Sequence, residues 1–428
     1  MFYIKLVRYY YIFLSVLILI APVNVGLIEF IPALFFLWGT YFAFNYIFRT
    51  RKIDNPIANN LIQIKSISNK KLLIVTLIFL IFIPIYIEFY TGSSMQIAIN
   101  RILSGNFGTD SSYAQYQRYF SENNLGQMSI RKLPYIIGYG ILRFVFWMLI
   151  ISIVGYSRKI TIIQSLCLVV IVLLYLLQGI TRGTGFETFE MLFIIVYSLL
   201  LRFNVLYQSS WMKGKTKYLV YLLIVLGIVS FLINLSYRYS GEIVIVNISS
   251  SLRFDNESFI AQYMPWISPI LMNLSAYFLF GLYFISTTIN EIWLNGTIEG
   301  FLSGIIPFGN QVFGLGDNYT QILCGKFIDC GVSWPPHAMT IIRYTGIILY
   351  FAFIGLLGRY SFFCFRKALS GSPRHAVLLF VITYEMFSIC VGDFVFISSG
   401  NTIALLIVII SKYIKTETFF WKIVKNNE

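Results

Sequence analysis

Charge is what this sequence has least of. Only 12% of its 428 residues are Asp, Glu, Lys or Arg, against about 25% in a soluble globular domain. That shortage excludes an ordinary water-soluble fold. Histidine is scarcer still, with two residues in the chain. No His/Cys cluster has zinc-ligand spacing, no HExxH occurs, and no DxD-type metal site stands in the segments placed outside below. The residue pattern therefore favours metal-free chemistry without a cofactor. A GxxxxGK[ST] phosphate loop is missing, which removes ATP-driven work by this chain alone. A GxSxG nucleophile elbow is missing too. There is no repeat of fixed period, so neither a solenoid nor an obvious duplicated transporter is expected.

Cysteine is sparse, with five residues. Cys167 and Cys390 lie in apolar runs and read as packing residues. Cys364 lies near a basic cluster, and Cys324 and Cys330 share the segment CGKFIDC. The last two suit a local disulfide in an oxidising compartment, but spacing alone leaves the pairing open.

What the chain has in quantity is apolar surface. It is 58% hydrophobic and 18% aromatic. Continuous apolar runs recur, and about 20 such residues cross a bilayer core. Alternating-strand barrels are excluded, because the runs have no period of two. The expected fold class is all-α, a polytopic integral membrane bundle of 10–12 helices forming one domain over 1–428. The basic N-terminal start followed by an apolar run lacks a small-residue cleavage site and reads as the first span.

The net charge of +14 invites a nucleic-acid partner, but its placement argues against one. Lys and Arg cluster in short connections between apolar runs: Arg49 to Lys71, Arg158 and Lys159, Arg202 to Lys217, Arg359 to Arg374, and Lys412 to Lys425. That is the pattern of cytoplasmic loops. It puts both termini inside and leaves 91–134, 236–270 and 317–338 as outer loops. Expected spans fall near 9–22, 26–48, 72–90, 135–156, 160–178, up to 206, 218–235, 339–359, 376–396 and 400–415. Residues 271–316 either cross twice, giving twelve spans, or lie along the outer interface, giving ten. The glycines and Pro307 of the second half make it a poor helix.

The polar residues on the outer side carry the functional signal. Arg182 sits in QGITRGTGFETFE, a glycine-flanked turn between spans that also holds Glu187 and Glu190. Arg238 and Glu242 lie in YRYSGE, and Arg253 lies in LRFDNE. His337 and Arg343 open the stretch from Trp334 to Arg359, where a polar loop turns into an apolar span. Arginines converging on an outer cavity suit a diphosphate, because a guanidinium forks onto phosphate oxygens and stays charged. Loop arginines also snorkel or cap helix ends without binding anything. Arg143, Glu385 and Asp393 lie within apolar runs, where ionisable groups face a partner or a cavity. The Asn, Ser and Tyr of 91–134 suit carbohydrate contact and are also ordinary loop composition.

Three stretches resemble the Wzy-type O-antigen polymerases, which join oligosaccharide repeat units in bacterial surface-polysaccharide synthesis. They are PPHAMTIIRYTGIILYFAFIGLLGR, LSAYFLFGLYFISTTIN and QGITRGTGFETFEMLFIIVYSLLLR. The overall topology is similar across nearly the whole chain. The resemblance implies an enzyme of the bacterial inner membrane acting on undecaprenyl-diphosphate-linked oligosaccharide. A chain-length regulator and a flippase would be its partners, besides the lipid bilayer. It implies metal-independent glycosyl transfer on the periplasmic side, with Arg182, Arg238 and Arg253 as the candidates for the substrate diphosphate and Arg343 as a further substrate-binding residue. His337 would be the base, with Glu242 as the alternative. An O-antigen ligase and a lipid-linked oligosaccharide flippase are the competing readings.

Overall fold

The computed structural model describes residues 1–25, 27–47, 63–65, 67–104, 112–125, 129–157, 159–182, 185–207, 215–238, 245, 247–248, 252–283, 285–286, 337–392, 395, 399–414 and 422–424. Within these the chain is a polytopic helical membrane bundle. Six helices are long and apolar enough to cross a membrane by length and composition: Phe2–Ile20, Asn69–Thr91, Ile130–Tyr156, Ile162–Arg182, Phe186–Leu206 and Thr345–Leu369. Residues 287–336 are outside the described set. So are the choice between ten and twelve spans, the outer loop at 317–336 and the Cys324–Cys330 pair.

In chain order the helices are α1 (Phe2–Ile20), α2 (Leu27–Phe42), α3 (Asn69–Thr91), α4 (Met95–Ser104), α5 (Ser112–Glu122), α6 (Leu133–Ile150) and α7 (Ile162–Arg182). They continue as α8 (Phe186–Tyr207), α9 (Lys215–Arg238), α10 (Phe259–Tyr263), α11 (Ser268–Phe278), α12 (His337–Leu369), α13 (Pro373–Ser388) and α14 (Ser399–Ile414). Single wide turns extend α2 over Ala43–Ile47 and α6 over Ile151–Tyr156. Gln63–Lys65 and Lys422–Val424 pair as two short antiparallel strands. These bring a segment beyond α2 and one beyond α14 to the same end of the bundle.

The helix ends follow local chemistry. Ser68 caps α3 by accepting from the Lys71 amide, and Gly92 closes it in the left-handed region at φ 65°. Around α3 the apolar surface is nearly continuous. Leu72, Val75, Phe79, Ile83 and Ile87 turn inward, while Leu73, Leu77, Ile81 and Ile85 are exposed. Exposed leucine and isoleucine on that scale match a lipid-facing surface. At the other extreme stands α13. Nearly every residue from Pro373 to Ser388 is buried, so this helix runs through the middle of the bundle. It packs against α1, α6, α8, α12 and α14.

The structure departs from the expected spans in three places. The outer loop 91–134 contains two helices, α4 and α5, because its Ile, Leu, Tyr and Phe recur at helical spacing. In 236–270, α9 runs on to Arg238, α10 is one short turn, and α11 has already begun at Ser268. The basic run from Arg359 to Lys367, expected as a loop, is the last part of α12.

Helix α12 is broken within its first third. Gly346 has φ 75° and ψ 162°, a conformation essentially reserved for glycine. The segment before the break, which begins with His337, is thereby set at its own angle to the apolar rod after it. Further along, Gly358 crosses the wide turn after α2. A Cβ there would collide with the Phe44 carbonyl oxygen. Backbone cannot move aside cheaply, so Gly358→Ala is expected to destabilise the bundle by about 1–3 kcal/mol. Thermal unfolding of the purified variant in detergent measures this, and an unchanged midpoint would contradict that packing.

Candidate functional site

The helices around α13 bring two ion pairs and a histidine–carboxylate pair toward one end of the bundle. The level is set by ring contacts. Phe189, near the start of α8, lies 6.2 Å from Tyr384, near the end of α13, and Phe193 lies 4.6 Å from Phe387. The two helices run antiparallel, since Tyr197 donates to the Ala376 carbonyl farther down. The start of α8, the end of α13 and the start of α12 therefore share one end.

The innermost pair is Arg143 of α6 with Glu190 of α8, and both side chains are buried. Each Glu190 oxygen has a further donor, Trp147 Nε1 at 2.8 Å and Tyr175 Oη at 2.7 Å. Arg143 Nη1 donates to Tyr139 Oη at 2.6 Å, and Gln178 Nε2 donates to the same oxygen at 3.0 Å. The guanidinium sits 5.4–5.6 Å from the ring centres of Tyr139, Tyr175 and Phe186. Buried charges persist when they are paired and hydrogen-bonded. Residues from three helices do this for Glu190 and for both Arg143 Nη atoms, while Arg143 Nε and Gln178 Oε1 have no partner among the described residues.

One turn farther out, α8 presents Glu187 to Arg182 of α7. Glu187 is fully buried, while the Arg182 side chain keeps 21% of its surface. Glu187 and Glu190 stand three residues apart and so share a helix face. Helices α3 and α7 start together, where Gln164 Nε2 donates to the Ile67 carbonyl at 3.3 Å, so Tyr86 and Tyr90 at the end of α3 stand near the level of Arg182.

The third pair is His337 with Glu385. His337 Nδ1 lies 2.5 Å from Glu385 Oε1, and Ser388 Oγ donates to Glu385 Oε2 at 3.3 Å. The start of α12 is locked onto the end of α13. The His337 amide donates to the Gly392 carbonyl at 3.0 Å, and the Ala338 amide to Ile389 at 2.9 Å. An otherwise orphaned helix start and an otherwise orphaned helix end satisfy each other. His337 is 7% exposed, so the ring is fixed by packing as well as by its carboxylate.

Of the residues expected from sequence, Arg182 and His337 stand at this end, each with a glutamate partner. Arg253 is exposed, and its carbonyl accepts from the Asn24 amide at 2.9 Å. It thus pins the 253–255 segment to the turn after α1. Arg238 is the last residue of α9 and Arg343 lies in the first segment of α12. Their side chains are outside the described residues, as are Glu242 and Asp393. Sequence reading missed the partners: Glu385 for His337, Glu187 for Arg182, and the whole Tyr139–Tyr175–Gln178 shell of Arg143. The available signal was the rarity of acids inside apolar runs, which marked Glu385 without naming its partner.

Comparison with protein-family models, curated proteins and solved structures found no match to this chain. Function has to be argued from the site.

Proposed function

We propose that this membrane protein is an oligosaccharide repeat-unit polymerase. It would move a growing glycan from its undecaprenyl diphosphate to a hydroxyl of the next lipid-linked unit. The observation that carries this reading is the His337–Glu385 pair, set at the same end of the bundle as Arg182. A histidine whose Nδ1 is held by a carboxylate is fixed in orientation and made more basic, as a general base requires. An accessible guanidinium meets the charge that builds on a departing diphosphate. Together they supply what metal-free glycosyl transfer needs, a base for the acceptor hydroxyl and a cation for the leaving group. The other proposed diphosphate contacts are Arg238 and Arg253, with Arg343 a further substrate-binding residue and Glu242 the alternative base. On this reading the end carrying Arg182 and His337 faces the periplasm, and the protein sits in a bacterial inner membrane.

A flippase is the second reading, and the pairing of charges weighs against it. A path for a diphosphate through the bilayer calls for cations available along its length. Among the described residues, Arg143 is closed by Glu190 within the bundle, and Glu385 is matched by His337.

The surface glycan of a deletion strain tests the proposal. Lipid cores capped with a single repeat unit are the expected result. Loss of all capping would favour a ligase or flippase, and a wild-type ladder would overturn the polymerase reading.

A further inference from the structure

We propose that Tyr90 and Tyr116 form a sugar-binding wall beside Arg182, so that the site takes a glycosyl diphosphate by its sugar ring as well as its phosphates. This rests on Arg182 being the diphosphate cation.

The wall is built by α5, which packs across the ends of α3 and α7. Its anchor is Tyr119. The Tyr119 ring lies so close to Gly92 that a Cβ there would come within 2.6 Å of it. Gly92 is thus required twice, for its left-handed φ and for the docking of α5. A line of rings then runs outward from the buried Arg143 network. Tyr139 stacks on Tyr86 at 4.3 Å and 14°, and Tyr86 meets Tyr90 at 4.7 Å. Tyr90 is half-buried, and α3 and α7 start together, where Gln164 Nε2 donates to the Ile67 carbonyl at 3.3 Å, so their ends set Tyr90 and Arg182 at one level. Tyr116, on α5, is half-buried as well.

Arg182 is not closed off by its partner. Its Nη2 goes to Glu187, and 21% of the side-chain surface stays exposed. A bare anion would use the guanidinium and gain little from two tyrosine rings. A sugar phosphate uses both, since an aromatic face covers the apolar face of a pyranose and the phenol oxygens meet its hydroxyls. Tyrosines also collect at membrane interfaces as anchors. Those face outward, as Tyr218 and Tyr263 do at 72% and 68% exposure. Tyr90 and Tyr116 are instead half-buried where α3 and α5 pack together.

Binding to the purified full-length protein in detergent tests this. The probes are a short prenyl diphosphate and the same molecule carrying glucose, galactose or N-acetylglucosamine. At least one sugar-bearing probe is expected to bind about threefold to tenfold more tightly than the bare one. Tyr90→Ala and Tyr116→Ala should each erase that preference, and Tyr90→Phe, which keeps the ring, should retain most of it. Equal affinity for bare and glycosylated probes, or a preference that survives both alanine variants, overturns the wall and leaves the cation standing. Failure of the bare prenyl diphosphate to bind, or binding unaffected by Arg182→Ala, overturns the assignment of Arg182 and with it the polymerase reading of the site.

Discussion

His337→Gln is expected to stop chain elongation while leaving the protein folded in the membrane. Glutamine has similar length and can still hydrogen-bond to Glu385, so the junction between α12 and α13 should survive. The proton acceptor is lost, and a positioned base contributes about 10²–10⁴-fold to rate. In a deletion strain complemented with the variant, surface glycan should collapse to single-unit capping, with protein levels near wild type. Glu385→Gln separates positioning from chemistry. Its carbonyl can still accept from Nδ1, but the charge that favours an imidazolium in the transition state is gone. The turnover number should fall with little change in KM for the lipid-linked donor. A loss of thermal stability without a change in turnover would assign Glu385 a purely structural role. Normal chain lengths in His337→Gln would remove His337 from the mechanism.

Much of the bundle was legible in the sequence, because apolar length and basic connections report directly on membrane spans. Segments α3, α6, α7 and α8 fall within a few residues of where hydropathy places them. The break in α12 was not legible. Gly346 sits in an unremarkable apolar run, and only its neighbours force it to φ 75°. The central position of α13 was hidden for a related reason. An apolar helix in a membrane protein looks the same to hydropathy whether it faces lipid or protein. Glu385 was the clue, since a carboxylate in such a helix needs a partner. Finding His337 required the contact between residues 48 positions apart. Arg143 and Glu190 posed the same problem. Each was visible as a charge near apolar sequence, and their closeness depends on α6 packing against α8.

That pair yields the second large expected effect. Arg143→Met alone would leave Glu190 buried against Trp147 and Tyr175 without its cation. Breaking a buried pair from one side costs about 3–5 kcal/mol. Glu190→Leu alone would strand the guanidinium among Tyr139, Tyr175 and Phe186, where ring faces compensate only part of the loss. The double variant Arg143→Met with Glu190→Leu removes both charges and fills a similar volume. It should recover most of the stability, because apolar replacement of a whole buried pair is often nearly neutral. Unfolding of the four proteins in detergent gives the coupling as a double-mutant cycle. A double variant as unstable as the two single losses added together would contradict a pair held for mutual neutralisation. Its activity then decides what the pair is for. Glu190 lies one turn below Glu187 on α8, so any shift of that helix moves the partner of Arg182. A folded double variant that still makes long chains makes the pair architectural. One that folds but makes only single-unit glycan shows that the Arg143–Glu190 lock sets the position of Arg182.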